Sequence, residues 1–448
     1  MFEREERELL RSKERLAVDA AADLERLEAA VRNGMRQAQE NRKLARAGHI
    51  RLIALSAGLL CLVLIVSIRV SPAMASIVGQ LPGMGYIVKL IEQDRGLKQA
   101  LENDFIQPVG ISDEKDGIKL TVDGVIADES RLHILYTAQS TTGSPKPLRT
   151  AGIKLEDGDG AGVKGMIACC YPNESDGKDG ILRGQVDVTL SEGVKVPERI
   201  RLQVELREDV ANPKAVWEVS FPIDRDLFAG MKETLPIGQT LEIEGQKLTF
   251  TKATVYPTRI GLEVEFDPAN TKQIFGLEDL ELVTDRGTIL KRNTGWLGEE
   301  KQTIYFESDY FSQSKRLTVK GSKLQALDKS KRKLIIDMDR EELVRAPDER
   351  LRISHFAKTD RAADITLETK ILVDEHYMYR IVDEEFTDSE GNNHKLSKGR
   401  ESSYRTGSDV QNTTFHIEVE PGQLKGKYTF TIVDYPARIE KPFEVKIR

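Results

Sequence analysis

Three hydrophobic periods follow one another along this chain. In residues 1–48 the apolar positions Leu9, Leu16, Ala20, Leu24, Leu27, Val31, Met35 and Ala38 recur at steps of three, four and seven, which sets them on one stripe of an amphipathic α-helix. Pairs such as Glu28 and Arg32 support that helix on its charged faces, and no proline interrupts residues 1–70. The run from Leu52 to Ile68 then contains no charged residue. As a helix it is about 26 Å long, close to a hydrocarbon core of about 30 Å once its flanks snorkel. A transmembrane helix is therefore expected over 49–70. Residues 71–104 read as a juxtamembrane helical stalk, with Tyr86, Ile87, Leu90, Ile91, Leu97 and Leu101 broadly on one side. Pro82-Gly83-Met84-Gly85 disfavours helix before about Tyr86.

From residue 105 the period falls to two. Ile118–Val122, Leu132–Tyr136, Val186–Leu190, Leu202–Leu206 and Val216–Phe221 alternate between apolar and polar residues, with Gly, Pro, Asn and Asp clusters between them. Short strands at this spacing, without long helices, predict antiparallel β-sandwiches. The pattern also recurs. Leu120-Thr121-Val122 followed by Arg131–Tyr136 aligns with Leu248-Thr249-Phe250 followed by Arg259–Phe266. A turn signal appears at Leu155–Gly158, Val283–Gly287 and Phe386–Gly391, each expected to close a hairpin. Closing strands are expected at Val216–Ile223, Lys333–Met338 and Phe443–Ile447. The resulting division is three β-domains at 105–226, 227–347 and 348–448.

Charge orients this plan. Residues 1–51 hold 12 Lys/Arg and 10 Asp/Glu, a net +2, so a chain of net −7 carries −9 beyond them. Arg42, Lys43, Arg46 and Arg51 crowd the N-terminal side of the apolar run, while Arg69 is the only nearby base on the other side. The positive-inside rule puts the first segment in the cytoplasm and the β-rich mass outside the cell membrane. A buried core helix is the competing reading of the run. A further alternative is cleavage after Ala73-Met74-Ala75, whose Ala73 and Ala75 obey the small-x-small rule of signal peptidases; an n-region of about 50 residues argues for stable anchoring instead.

The acidic exterior argues against direct nucleic-acid binding. Three cysteines, Cys61, Cys169 and Cys170, are too few for a disulfide scaffold or a multi-cysteine zinc module, and the six histidines show no zinc spacing. The adjacent pair Cys169-Cys170 reads equally as a vicinal disulfide or as two thiols. Asp157-Gly158-Asp159-Gly160 has a fragment of calcium-loop character but lacks the spaced acids and closing Glu; a turn is the ordinary reading. No nucleophile elbow, phosphate loop or dinucleotide fingerprint occurs, so neither enzyme activity nor a cofactor is expected.

The stretches Arg69–Ser76, Gln80–Gly83, Glu102–Gln107 and Asp116–Ile118 resemble the membrane-proximal signature of the domain of unknown function 4179 family of Gram-positive bacteria. Residues 233–290, including Tyr256–Ile260 and Phe275–Leu280, resemble the immunoglobulin-like ectodomain that often follows it. Ala30-Val31 with Gly34-Met35 is similar to the family's cytoplasmic helix. Family members are commonly encoded beside extracytoplasmic-function sigma factors, and the resemblance implies an anti-sigma role without the His and paired Cys of the zinc-binding anti-sigma class. A lone amphipathic helix has no core, so its stripe needs a partner; Leu24, Leu27, Val31 and Met35 are the expected contact with a cytoplasmic sigma factor. The exterior is expected to sense an unknown ligand or protein. The competing expectation is a cell-surface binding or structural protein whose inner helix only sets topology.

Overall fold

The computed structural model describes residues 85–142, 147–170, 180–207, 215–373, 378–397, 399 and 401–448, without the side chains of Cys169 and Cys170. Leu24, Leu27, Val31 and Met35, the apolar run, and Ala73 and Ala75 lie outside these residues. Among the described residues no helix is long and apolar enough to cross a membrane. The chain is mainly β, in several antiparallel sheets.

Two short helices come first, α1 (Gly85–Ile91) and α2 (Arg95–Glu102). Asp94 caps α2, its carboxylate accepting from the Leu97 N–H at 3.0 Å. Ile87, Ile91, Leu97 and Leu101 are buried in the first core, with Tyr86 and Leu90 packed beside them. That core is enclosed by strands β1 (Gln107–Lys115), β2 (Ile118–Asp128), β3 (Arg131–Ser140), β4 (Arg149–Asp157), β5 (Gly165–Cys170), β6 (Ile181–Leu190), β7 (Arg199–Arg207) and β8 (Ala215–Pro222). One sheet runs β1-β2-β3-β6-β5 and the other β4-β7-β8. Period two is plain in β7, where Ile200, Leu202, Val204 and Leu206 are buried and Arg201, Gln203 and Glu205 are half-exposed. Trp217 fills the space between the sheets, its indole N–H donating to the Ile118 carbonyl at 3.0 Å.

The second domain begins with β9 (Glu233–Ile243), β10 (Gln246–Val255), β11 (Arg259–Phe266), β12 (Lys272–Leu277), β13 (Glu281–Thr284), β14 (Ile289–Leu290), β15 (Arg292–Leu297), β16 (Lys301–Glu307) and β17 (Leu317–Asp328). Its first sheet, β9-β10-β11-β16-β15, has the strand order of the first domain's, and its first three strands repeat β1, β2 and β3 at an offset of 128 residues. Pro108 and Gly110 on β1 match Pro236 and Gly238 on β9. These are edge strands, and a proline beside a left-handed glycine (φ 68° and 61°) interrupts the ladder and blunts the edge. Asp116-Gly117 and Glu244-Gly245, all at positive φ, are the matching two-residue turns. Arg131 and Arg259, 128 apart, open β3 and β11.

The third set comprises β18 (Lys333–Asp337), β19 (Glu342–Arg345), β20 (Leu351–Lys358), β21 (Ala362–Lys370), β22 (Val382–Thr387), β23 (Asn393–Lys395), β24 (Ser402–Thr406), β25 (Val410–Glu418), β26 (Lys427–Ile432) and β27 (Arg438–Lys446). Sheets β20-β21-β25-β24 and β19-β18-β26-β22-β23 enclose the third core. Here the structure departs from the expected division at 347/348. In the first domain β8 follows β7 and pairs with it; the corresponding strand after β17 is β18, yet β18 pairs with β26. The last strand, β27, returns to pair with β17. Leu334, Ile336 and Met338 thus lie in the third core, and Ile439, Val445 and Ile447 in the second. The two domains have exchanged closing strands. The crossing links are tied together: the Ile432 N–H donates to the Arg332 carbonyl at 2.8 Å, and the Ala326 N–H to the Ala437 carbonyl at 2.8 Å.

The threefold turn is one device used three times. At Asp157, Thr284 and Asp388 the side-chain oxygen accepts the N–H groups of the residues two and four later, at 2.9–3.3 Å. A glycine at positive φ stands three residues on in each, Gly160, Gly287 and Gly391. The second and third turns join β13 to β14 and β22 to β23. The first does not close the expected hairpin: after a single bridge, Glu156 to Gly162, the chain crosses to pair β5 in the other sheet. Asp157 spends its carboxylate on the turn itself.

Candidate coupling site and ligand cleft

Helix α2 is bonded to two β-domains at once. Its cap residue Asp94 accepts from Arg131 at 2.7 Å, and Arg131 also reaches Asp187 on β6 with Nε at 2.7 Å. Burial opposes charge on Asp187, but the Arg131 guanidinium overcomes it and holds the carboxyl below its usual range. The next residue, Arg95, donates its backbone N–H to Glu307 on β16 at 3.1 Å. Gly96 lies against the turn between β10 and β11, where a Cβ would stand 2.0 Å from the Thr258 carbonyl oxygen and 3.0 Å from the Ser308 nitrogen. On the first domain, Tyr86 of α1 donates to Asp123 and accepts from Thr137 at 3.0 Å.

The β2–β3 turn meets the equivalent β10–β11 turn directly. Asp128 accepts from the Thr258 N–H at 2.9 Å and hydroxyl at 2.6 Å, and from Ser130. Arg259, 1% exposed, donates back to the Ser130 hydroxyl at 2.8 Å and carbonyl and to Thr189 at 2.9 Å. Its guanidinium lies 3.8 Å from the Tyr305 ring centroid. A buried guanidinium with this many fixed partners holds the two domains in one register.

Gly96→Val is expected to push α2 off this turn while leaving every charge in place. Overpacking against backbone costs about 1–3 kcal/mol. Hydrogen exchange of the β10–β11 turn should quicken; unchanged protection there would refute close packing at Gly96.

A buried histidine and a half-buried aspartate set opposite pH responses. Burial pushes His133 on β3 down to about 4 despite neighbouring Asp187. A depressed base binds fewer protons folded than unfolded, so its stability is present above about 6.5 and lost as pH falls through about 4. Asp434, in the link between β26 and β27, is pushed up to about 7 by burial, with Glu278 adding to the shift. A raised acid binds more protons folded, so its stability is present below 3.8 and lost as pH rises through about 7. Acidification from pH 6.5 to 4.5 should therefore quicken exchange in β3 and β6 and slow it around β17 and β27; parallel responses would contradict these assignments.

Asp434 borders a cleft of about 880 Å³ between the second and third cores, a volume typical of ligand sites. Edge strands β12 and β15 form one side, and Arg380, Val433, Asp434 and Arg438 the other. Arg438 pairs with Glu278 at 2.6 Å, Arg332 with Glu299 at 2.6 Å and Arg380 with Glu384 at 3.1 Å. Asp434 accepts from the Gln325 side chain and from the Arg380 N–H at 3.3 Å, and makes no ion pair among the described residues.

The sequence marked Arg131 and Arg259 only as repeat landmarks. Their shared offset, at the mouth of a strand where arginine is seldom buried, is the signal that they act together. Asp94, Asp128 and Asp187 carried no such signal, because their partners lie on other elements.

Residues 46–140 match the family described as Domain of unknown function (DUF4179), and residues 232–354 match the Family of unknown function (DUF5643). The first match ends with β3 and so includes α1, α2 and Arg131; the second includes Arg259, β12, β15 and the outgoing strand β18 but stops before β27. No curated protein matches the chain. A solved structure titled "The crystal structure of the conserved domain protein from Bacillus anthracis" is similar over 50% of this chain and 79% of its own, with 17% identity and a TM-score of 0.37. The chain is thus similar, over two separate stretches, to the DUF4179 family and then to the DUF5643 family.

Proposed function

We propose that this protein is a single-pass membrane regulator, an anti-sigma factor whose cytoplasmic helix sequesters an extracytoplasmic-function sigma factor under control of the outer β-domains, read as tandem immunoglobulin-like sandwiches. Leu24, Leu27, Val31 and Met35 bury against the sigma factor, and neighbouring bases set orientation and on-rate. The observation that carries this reading is α2. The helix that follows the apolar run is bonded to the first domain through Asp94 and to the second through Arg95 and Gly96. In this reading a change in how those domains meet is the input, and α2 is the element on which both domains act. Release follows either movement of this stalk or proteolysis near Ala73 and Ala75.

Leu27→Asp with Val31→Asp should abolish co-purification of the sigma factor, because two carboxylates would have to be buried unpaired. Undiminished binding would end this assignment of the contact. The second reading, a surface binding or structural protein, is favoured by the cleft alone. Deleting residues 1–40 separates the two, since surface binding survives that deletion and sigma control does not.

A further inference from the structure

We propose that strand β5 is the contact between two copies of this chain, pairing antiparallel with the β5 of a second copy about a twofold axis at Ile167. Its residues Gly165-Met166-Ile167-Ala168-Cys169-Cys170 carry no charge and no proline, and their register with β6 runs without a bulge. Met166 and Ile167 are 39% and 37% exposed, and Ala168 is exposed beside them. The other three edges of the first domain are closed in ways that β5 is not. β1 is broken by Pro108 and Gly110. β4 carries Arg149, Lys154 and Glu156, with a bulge between Thr150 and Gly152. On β8 the side chains of β1 take the edge groups: Asp113 accepts from the Glu218 N–H at 2.9 Å, and Lys115 and Gln107 donate to the Val216 and Pro222 carbonyls at 3.1 and 2.8 Å.

The ladder fixes which amides are free. The Leu190 N–H donates to the Ser130 carbonyl at 3.0 Å, on the β3 side, and the Ser191 N–H to the Lys164 carbonyl at 3.2 Å, on the β5 side. Alternation from these two bonds turns the backbone groups of Met166, Ala168 and Cys170 toward β6 and those of Gly165, Ile167 and Cys169 away from the sheet. Among the described residues no hydrogen bond reaches the Gly165 or Ile167 backbone from beyond that edge. A twofold axis at Ile167 sets Ile167 against its own copy and Gly165 against Cys169, so all three outward residues meet their partners through about six N–H···O bonds. Met166 then stands opposite Ala168, a long apolar side chain beside a small one, on both sides of the axis. The Thr294 hydroxyl, 3.5 Å from the Met166 sulfur, already steadies that side chain. The lack of charge is what selects a second copy as the occupant: a charged edge meets its own copy with like charges near the axis, and this strand brings none there. The pairing joins the five-stranded sheets of two copies into one.

This inference goes beyond the sigma-factor reading, and its test involves no sigma factor, so either can fail without the other. The full chain in detergent micelles, with Cys61→Ala, Cys169→Ala and Cys170→Ala, receives Ile167→Cys and is mildly oxidised. Facing Cα atoms of a bonded pair lie about 5.5 Å apart, within disulfide reach. A disulfide-linked dimer is expected, forming at least about tenfold faster than with Leu297→Cys, which lies on another strand and is 63% exposed. In the unsubstituted chain, hydrogen exchange at Gly165 and Ile167 should slow as the protein is concentrated from about 1 µM to about 100 µM. Ile167→Pro removes an N–H that β6 does not use, so exchange in β3 and β6 should stay slow while Gly165 loses that gain. Equal cross-linking at Ile167 and Leu297, exchange at Gly165 and Ile167 that ignores concentration, or undiminished slowing at Gly165 in folded Ile167→Pro would each overturn the proposal. So would slowing seen only when an extended peptide such as Thr-Val-Thr-Val-Thr is added, which would make β5 a peptide site instead.

Discussion

Ending the chain after Pro436 should unfold the second β-domain and spare the third. In sequence order the opposite would hold, because residues 438–448 follow the third domain. The exchanged strand reverses this. β27 buries Ile439, Val445 and Ile447 in the second core and covers one edge of β17 along most of its length. At about 1.5–3 kcal/mol for each buried side chain, the loss is roughly 5–9 kcal/mol before the unpaired ladder is counted. That is comparable with the whole stability of a typical domain. The third core keeps β18 beside β26 and loses none of its buried residues. Hydrogen exchange reads the difference: protection should vanish from β10, β11 and β17 and persist in β21 and β25. Loss in β21 and β25 with retention in β10 and β11 would mean that β27 belongs to the third domain and no exchange exists.

Removing the Arg131 guanidinium should be the most damaging single substitution at the junction of α2 and the first domain. Arg131→Met leaves the carboxylates of Asp94 and Asp187 mostly buried and facing each other across the vacated site. Breaking a buried pair from one side costs about 3–5 kcal/mol, since the remaining charges lose their partner and stay out of water. Urea unfolding of the first domain should show a loss of this size. Adding Asp187→Leu should restore part of it, because it removes one of the two stranded charges, while Asp94 keeps its bond to the Leu97 N–H. An exposed pair such as Lys320 with Glu444, 4.0 Å apart, should by contrast change stability by less than about 1 kcal/mol when Lys320 is replaced. Equal losses at the two sites would show that burial is not what gives the Arg131 network its weight.

The positions of the individual strands were legible because alternation is local. A residue's neighbours two places away tell which face of a strand it occupies, and the β7 pattern of Ile200, Leu202, Val204 and Leu206 needs nothing else. The turns were legible for the same reason: Asp157, Thr284 and Asp388 bond N–H groups at most four residues away, and glycine follows at a fixed step.

Partnership was not legible. Lys333–Met338 and Phe443–Ile447 each read as a strand with one buried face, and alternation is silent about whose core that face enters. The exchange is decided by where links of a few residues, around Arg332 and Val433, carry the chain, and by hydrogen bonds between the links themselves. The junction is of the same kind. Asp94, Asp128 and Asp187 are ordinary acids in sequence, and they become a network only when the fold sets a helix cap, a turn and a strand around two arginines 128 residues apart. The cleft likewise takes its walls from strands β12 and β15 and a link more than 130 residues later. The sequence alone determined the order of the strands, their turns and the β-repeats, because periodicity acts over a few residues. Only the tertiary structure decided which strand closes which core and which charges meet, because those choices depend on contacts between residues far apart in the chain.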